Sequence, residues 1–395
     1  MAFLPNNMLE SAFLTDVSNA RPSEEAIKQS YIGLDLCPFE DVGSRQVIWD
    51  VVYSENQLAG YYGPDGNAIP GDDMLFSTEM TNLMDMKSAR ALKPWAVLLL
   101  REPGTLAAFD SSSAPSQRSQ LQRIESYITK LTNWCNDRID SQVEYTIMQA
   151  IVEGSVTWPP VDDDGNAISN PPAHWNSELT FEVPFNLPAT QNQVVTTLTG
   201  YDGATGGSYV WTDHTNADPI RDLQVYKSYM LKVWGINLNG GEILMSQLDL
   251  DEMVQCANVL KWIVGSTYQQ TRPEYLDIET LNNIVRTKTG MTIKLYDASW
   301  TFRSRPSTMK RELVQRVSYM KLGKIVLKPA GTLGKMLSAP QVRLDRMSGN
   351  VEFVQRKLGW SDWLTRPPYG IDMGVDLVAW PQFEHYDWCV LDVRN

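Results

Sequence analysis

One stretch restricts what this chain can fold into more than any other. Between positions 116 and 154, Leu121, Ile124, Ile128, Leu131, Cys135, Ile139, Val143, Ile147 and Ile151 recur at intervals of three and four. That is the apolar stripe of one amphipathic helix. Pro115 lies near its start, where a missing N–H does least harm, and Gly154 stands where a C-cap is expected. Unbroken, such a helix of about 37 residues is a rod of roughly 55 Å. The spacing drifts towards repeated fours instead of holding a heptad, so a spine along an elongated molecule fits better than a coiled coil.

The rest of the chain is long enough to surround such a rod. Its 395 residues suggest two or three structural units with a sizeable core, and 43% hydrophobic with 21% charged residues excludes wholesale disorder. The longest fully apolar run, 95–100, is far short of the roughly 20 residues a membrane-spanning helix needs. No basic residue precedes Arg21, so no secretory signal is expected and the chain reads as soluble and cytoplasmic. Cys37, Cys135, Cys256 and Cys389 lie far apart, which argues for reduced, buried thiols and against a disulfide framework or zinc knuckle. The formal charge of −13, from 34 Lys+Arg against 47 Asp+Glu, argues against a surface devoted to gripping phosphates. It leaves open a protein that merely encloses nucleic acid.

Residues 1–44 show little periodicity but scatter apolar anchors at Phe3, Leu4, Leu9, Phe13 and Leu14, with a short helix expected at 23–29. The segment cannot fold alone and reads as an arm that needs a partner surface. From 44 to 79 the pattern is strand-like. Gln46-Val47-Ile48-Trp49-Asp50-Val51-Val52-Tyr53 and Met74-Leu75-Phe76-Ser77-Thr78 flank a turn-rich segment containing Asp65-Gly66. This predicts a long hairpin, marginal by itself and therefore lying on something else. Asp65-Gly66-Asn67-Ala68-Ile69 recurs at 164–168, which is two similar turns and too short for a repeat architecture.

Beyond the spine, 178–185 reads as a strand within a loop-rich stretch, and a compact α/β alternation follows. Asp218-Pro219 opens a helix whose face is Ile220, Leu223, Tyr226, Met230 and Val233, with Gly235 ending it. Ile243-Leu244-Met245 is a short buried strand, 250–263 a second helix, and Asp277 caps a third with Leu281, Ile284 and Val285 inward and Gly290 closing it. Strands are expected at 291–296 and 324–328, and short strands with Pro-rich turns in the last 60 residues.

Signals for chemistry are weak. His174, His214 and His385 lie apart, without HExxH, a helical His pair or GxSxG. Gly331-Thr-Leu-Gly334-Lys335-Met336 lacks the first glycine of a phosphate loop and ends in Met in place of Ser/Thr. Asp162-Asp163-Asp164-Gly165-Asn166 lacks the alternation and closing Glu of a calcium loop and reads as an exposed acidic turn. No catalytic residue, cofactor site or metal site is assigned, and the chain is not expected to be an enzyme. The 13 Trp and 16 Tyr suit either sugar-stacking platforms or protein–protein contacts, and an arm and hairpin in need of partners favour contacts.

The order of arm, long hairpin, spine helix, α/β unit and β-rich tail resembles the tailed-phage capsid fold of the Hong Kong 97 type, specifically the lambda-like major head protein family. Arg101-Glu102-Pro103-Gly104 is similar to the family's Arg-x-Pro-Gly before its spine. Glu144-Tyr-Thr-Ile-Met-Gln-Ala150-Ile-Val-Glu-Gly154 resembles its Ala-containing spine end and closing Gly. Trp211-Thr-Asp213 leading to Ala217-Asp218-Pro219-Ile220-Arg221-Asp222 resembles its tryptophan followed by Ala-Asp-Pro-Ile and a helix. Lys324-Ile-Val-Leu-Lys-Pro329-Ala-Gly331-Thr-Leu-Gly334 is similar to its strand and Pro-x-Gly-x-Leu-Gly turn. The likeness covers roughly residues 40 to 340; the stretch 159–210 is longer than the family's pattern, and the tail after Met347 matches none of it.

The resemblance implies an α+β fold: an N-terminal arm (1–44), an extended loop that is a long β-hairpin (45–100), and a peripheral domain (101–216) with its spine helix at about 116–153. An axial α/β domain (217–340) and a C-terminal β-rich return to the peripheral domain (341–395) complete it. It implies a major capsid protein forming hexamers and pentamers of an icosahedral shell around the double-stranded DNA genome of a tailed phage. The hairpin would lie over a neighbouring subunit and the arm would reach across another. Implied partners are further copies of itself, a portal protein, a scaffolding protein and a decoration protein. DNA would be enclosed without sequence-specific binding and no membrane would be involved, in a virion capsid assembled in the host cytoplasm. The rival readings are an encapsulin-like nanocompartment shell of the same fold and a carbohydrate-binding or carbohydrate-hydrolysing protein.

Overall fold

A computed structural model describes residues 11–19, 22–52, 76–92, 117–161, 168, 180–198, 200, 209–264, 278–304, 313–344, 351–364 and 370–394. Its axis is one helix of 36 residues, Gln117–Val152, about 54 Å long at 1.5 Å per residue. Ile128, Leu131, Cys135, Ile139, Val143, Ile147 and Ile151 are all buried along it. Thr132 and Thr146 stay inside because each hydroxyl donates to the carbonyl four residues back, at 3.1 and 2.8 Å. Towards its C-terminus almost every side chain from Val143 to Val152 is buried, so the helix ends in the middle of the protein. Gly154 then takes φ +68°, a left-handed value open to glycine, and its carbonyl accepts the N–H of Phe185.

Against this spine lies a five-stranded sheet built around Gly370–Gln382. Met84–Leu92 pairs antiparallel along one edge of that strand. Leu358–Leu364 and then Lys335–Ser338 pair antiparallel along the other, and Phe39–Asp41 adds in parallel outside Lys335–Ser338. The long strand alternates Ile371, Met373, Val375 and Leu377 with Asp372, Gly374 and Asp376. The apolar set joins the cores that contain the spine residues.

A second sheet runs in the order Asn192–Val194, Cys389–Asp392, Lys324–Lys328, Glu242–Met245, Thr292–Leu295. Its register aligns Leu244, Val326 and Val390 in one row and Ile243, Leu327 and Cys389 in the next. The first row belongs to the core around the spine. The second, with Met245, Ile325 and Leu391, lines a separate core under the helices Pro219–Val233, Gln247–Gln255, Ala257–Val264 and Ile278–Thr289. One wall thus serves two cores, and its middle strands read as unbroken apolar runs because both faces are covered.

Three local expectations change. The helix expected over 250–263 is two helices, Gln247–Gln255 and Ala257–Val264, separated by Cys256 in an extended conformation. The loop before Pro219 causes the break: the Ala257 N–H donates to the carbonyl of His214, and the Asn258 amide to those of Asn216 and Ala217. Val233 is 45% exposed although it continues the helical stripe, because the helix stops there and the chain turns away through Trp234 and Gly235. The C-terminal return divides, Gly370–Gln382 joining the first sheet and Cys389–Asp392 entering the middle of the second.

Candidate assembly surfaces

The N-terminal segment finds its partner surface on its own chain. Its helices Ser11–Asn19, Glu24–Gln29 and Gly33–Leu36 carry Leu14, Ile32, Leu36 and Cys37 into the cores. Two acids on the spine hold it there. The Glu144 carboxylate accepts the N–H groups of Ile32 (3.0 Å) and Gly33 (2.8 Å), and the hydroxyl of Tyr296, which follows the outer strand Thr292–Leu295 of the second sheet. Burial pushes this carboxyl above its ordinary value, while the three hydrogen bonds oppose the shift. One turn earlier, Asp140 accepts the N–H of Ser23 and forms a nearly buried ion pair with Lys357 at 2.5 Å. Tyr31 adds hydroxyl contacts to Tyr319 (2.9 Å) and Ser141 (3.0 Å), and Gly359 N–H donates to Thr15 Oγ1 (3.0 Å). Over 11–19 and 22–41 the N-terminal segment thus packs on its own spine and first sheet. An acidic residue on or beside an otherwise apolar stripe, as at 140 and 144, is the sequence signal for this clasp.

Among the described residues, four two-stranded ribbons remain outside the sheets. The first, Gln46–Val52 with Phe76–Asn82, turns Val47, Trp49 and Val51 inward and leaves Ile48 exposed. Its tip, with the expected Asp65-Gly66 turn, lies outside the described residues. The others are Ser155–Trp158 with Phe181–Pro184, Ser299–Ser304 with Leu313–Ser318, and Gln341–Leu344 with Val351–Val354. An isolated ribbon gains little stability in water, so exposed Val314, Val342, Val351 and Phe353 on the last two are suited to contacts beyond the chain.

The histidines, the glycine turn and the acidic turn form no cluster among the described residues. His214 contacts Glu252 at 2.5 Å, His385 is exposed, and His174 and the acidic turn 162–166 are outside the described residues. Lys335 does not face an open glycine loop: it sits between Glu40 (2.9 Å) and Glu384 (3.1 Å), and Met336 is buried. All four cysteines are free and buried, and burial raises their thiols, Cys135 to about 11 and Cys256 to about 12. Among the described residues no group of three or more His, Cys, Asp or Glu is placed to hold a metal ion, and no helix is long and apolar enough to cross a membrane. Three tryptophans serve the interior. Trp211, Trp380 and Trp388 are fully buried, and Trp211 and Trp388 donate to Asp222 and to the Ile151 carbonyl. Of the tryptophans whose side chains are described, Trp262 is the exposed one, and Lys288 lies over its ring. Among the described side chains the tryptophans form no exposed row that could serve as sugar-stacking platforms.

The long spine and the sheet shared between cores belong to an α+β body with a phage capsid fold of the Hong Kong 97 type. The chain aligns over 98% of its length with 99% of a crystal structure assigned as the capsid protein of a prophage of E. coli CFT073, at 11% identity and a TM-score of 0.54. A phage-related protein from Bordetella bronchiseptica RB50 (10% identity, 97% and 96% covered, TM-score 0.45) aligns more loosely. A virus-like particle from Pyrococcus furiosus does so too (9% identity, 98% and 97% covered, TM-score 0.37). No protein-family model matches the chain. No curated protein matches it.

Proposed function

We propose that this chain is the major capsid protein of a tailed phage, a structural protein and not an enzyme. Many copies would form hexamers and pentamers of an icosahedral shell that encloses double-stranded DNA. The observation that carries the reading is the end-to-end alignment with the prophage capsid structure, which spans arm, hairpin, spine and both cores. The exposed ribbons supply a physical reason for assembly, since they gain stability when copies cover one another. In the assembled state the extended loop of 45–100 would lie over a neighbouring copy. A portal, a scaffolding protein and a decoration protein are the further partners, and the virion, assembled in the host cytoplasm, is the location. The −13 charge fits a wall that confines DNA by geometry and does not bind it through ion pairs.

Negative-stain microscopy with light scattering on the purified chain tests the reading. Megadalton particles, or discrete hexamers and pentamers, are expected. A persistent monomer that binds or cleaves glycans overturns it, and particles whose native content is a protein cargo and not DNA favour the nanocompartment.

A further inference from the structure

The ribbon Gln341–Leu344 with Val351–Val354 carries an unusual face. Its register pairs Val342 with Phe353 and Leu344 with Val351, which sets these four positions on one side. Phe353 is 74% exposed, Val342 60% and Val351 55%. Among the described residues no other sheet face presents three exposed large apolar side chains in register. The opposite side of the ribbon is anchored. Gln341 is buried, and its amide donates to the carbonyls of Arg356 (3.1 Å) and Asp376 (3.0 Å), the latter in the central strand of the first sheet. The Arg356 N–H donates to Ser338 Oγ at 3.2 Å, and its guanidinium meets Asp41 at 3.3 Å. The ribbon is held firmly at its root, with the apolar face turned to solvent.

We infer that this face packs against the same face of a second copy of the chain, an inference that rests on the shell reading above. Two arguments select that occupant. First, the three side chains expose on the order of 400 Å², about half of what each partner of a stable stand-alone interface buries. That area is too small to retain an independent soluble protein, and it suits a contact between copies already held together elsewhere. Secondly, the face is uncharged at positions 342, 351 and 353 and is therefore complementary to itself. Identical copies meet through the same surface at a two-fold axis, and a closed icosahedral shell provides such axes between its rings. Two such ribbons would stack as sheet faces do, about 10 Å apart, with Phe353 of each covering the valines of the other.

The buried native cysteines make a direct test available, because a thiol introduced at position 353 is the accessible one. Particles of Phe353→Cys, treated with a short bis-maleimide linker and run on a denaturing gel, are expected to give covalently joined chains; wild-type particles are expected to give none. Should Phe353→Cys itself block assembly, Val351→Cys on the same face carries the linker. Phe353→Ser is expected to keep the wild-type circular dichroism and melting temperature as a free subunit and to lose most of its particles. Assembled cysteine particles that yield no joined chains overturn the inference and leave the shell reading intact, as does a normal particle yield from Phe353→Ser. Failure of the wild-type chain to assemble at all overturns the shell reading, and this contact with it.

Discussion

At the scale of single residues, the spine works through the two acids on or beside its apolar stripe. Glu144 is buried where the N-terminal segment, the spine and Tyr296 meet, and Gly33 approaches it so closely that a Cβ there would run into the carboxylate. Gly33→Ala is therefore expected to destabilise the subunit by about 1–3 kcal/mol, measured by urea unfolding. Titration of Glu144 gives a second expectation. Its carboxyl is raised in the folded state above its ordinary 4.5, chiefly by burial, so the folded chain holds that proton more tightly than the unfolded one. The resulting stabilisation is complete below the unfolded value and disappears as pH rises through the folded value. Glu144→Gln cannot titrate, so the stability of wild type relative to this variant should decline as the medium moves from acid towards neutral. Urea midpoints that separate in the opposite direction would contradict the burial argument.

Elements differ in how much of their stability they carry themselves. From Ile128 to Ile151 the spine has its stripe buried by its own chain. The hairpin Gln46–Val52 with Phe76–Asn82 is anchored through Val47, Trp49 and Val51 at its root. Removing residues 61–72 leaves those anchors in place. The shortened chain should melt within a few degrees of wild type while forming far fewer particles, which calorimetry and light scattering read separately; full particle yield would remove the hairpin from the assembly mechanism. The split at Cys256 shows how an element can depart from its own periodicity. Leu250, Met253, Val259 and the residues between suit one helix, but hydrogen bonds from the loop 213–217 reach Ala257 and Asn258 and interrupt it.

Across the whole molecule, the second sheet couples the two lobes. Leu244, Val326 and Val390 belong to the core around the spine, while their neighbours Ile243, Leu327 and Cys389 belong to the core under the four helices. Loss of either core strips one face of the same strands, so the subunit should unfold in a single calorimetric transition, with calorimetric and van't Hoff enthalpies in agreement. Two well-separated transitions would show that the cores are independent.

Whatever is local and periodic could be read from the order of residues alone. The spine, the helix opened by Asp218-Pro219, the buried strands at 243–245 and 324–328 and the root of the hairpin follow from side-chain spacing and capping alone. A stripe every three or four residues has one way to be buried, and alternation has one face to hide. The alternation of Ile371, Met373, Val375 and Leu377 is equally regular, although the Pro-rich sequence around it hides a 13-residue central strand. Tertiary structure decided the rest. Partners far apart in the chain set the clasp of Glu144 on Ile32 and Gly33, the pairing of Asp140 with Lys357 and the entry of Cys389–Asp392 into the second sheet. Periodicity records which side of an element avoids water; it carries no information about which distant surface will cover that side. For Phe353 and Val342, that surface belongs to another copy of the chain.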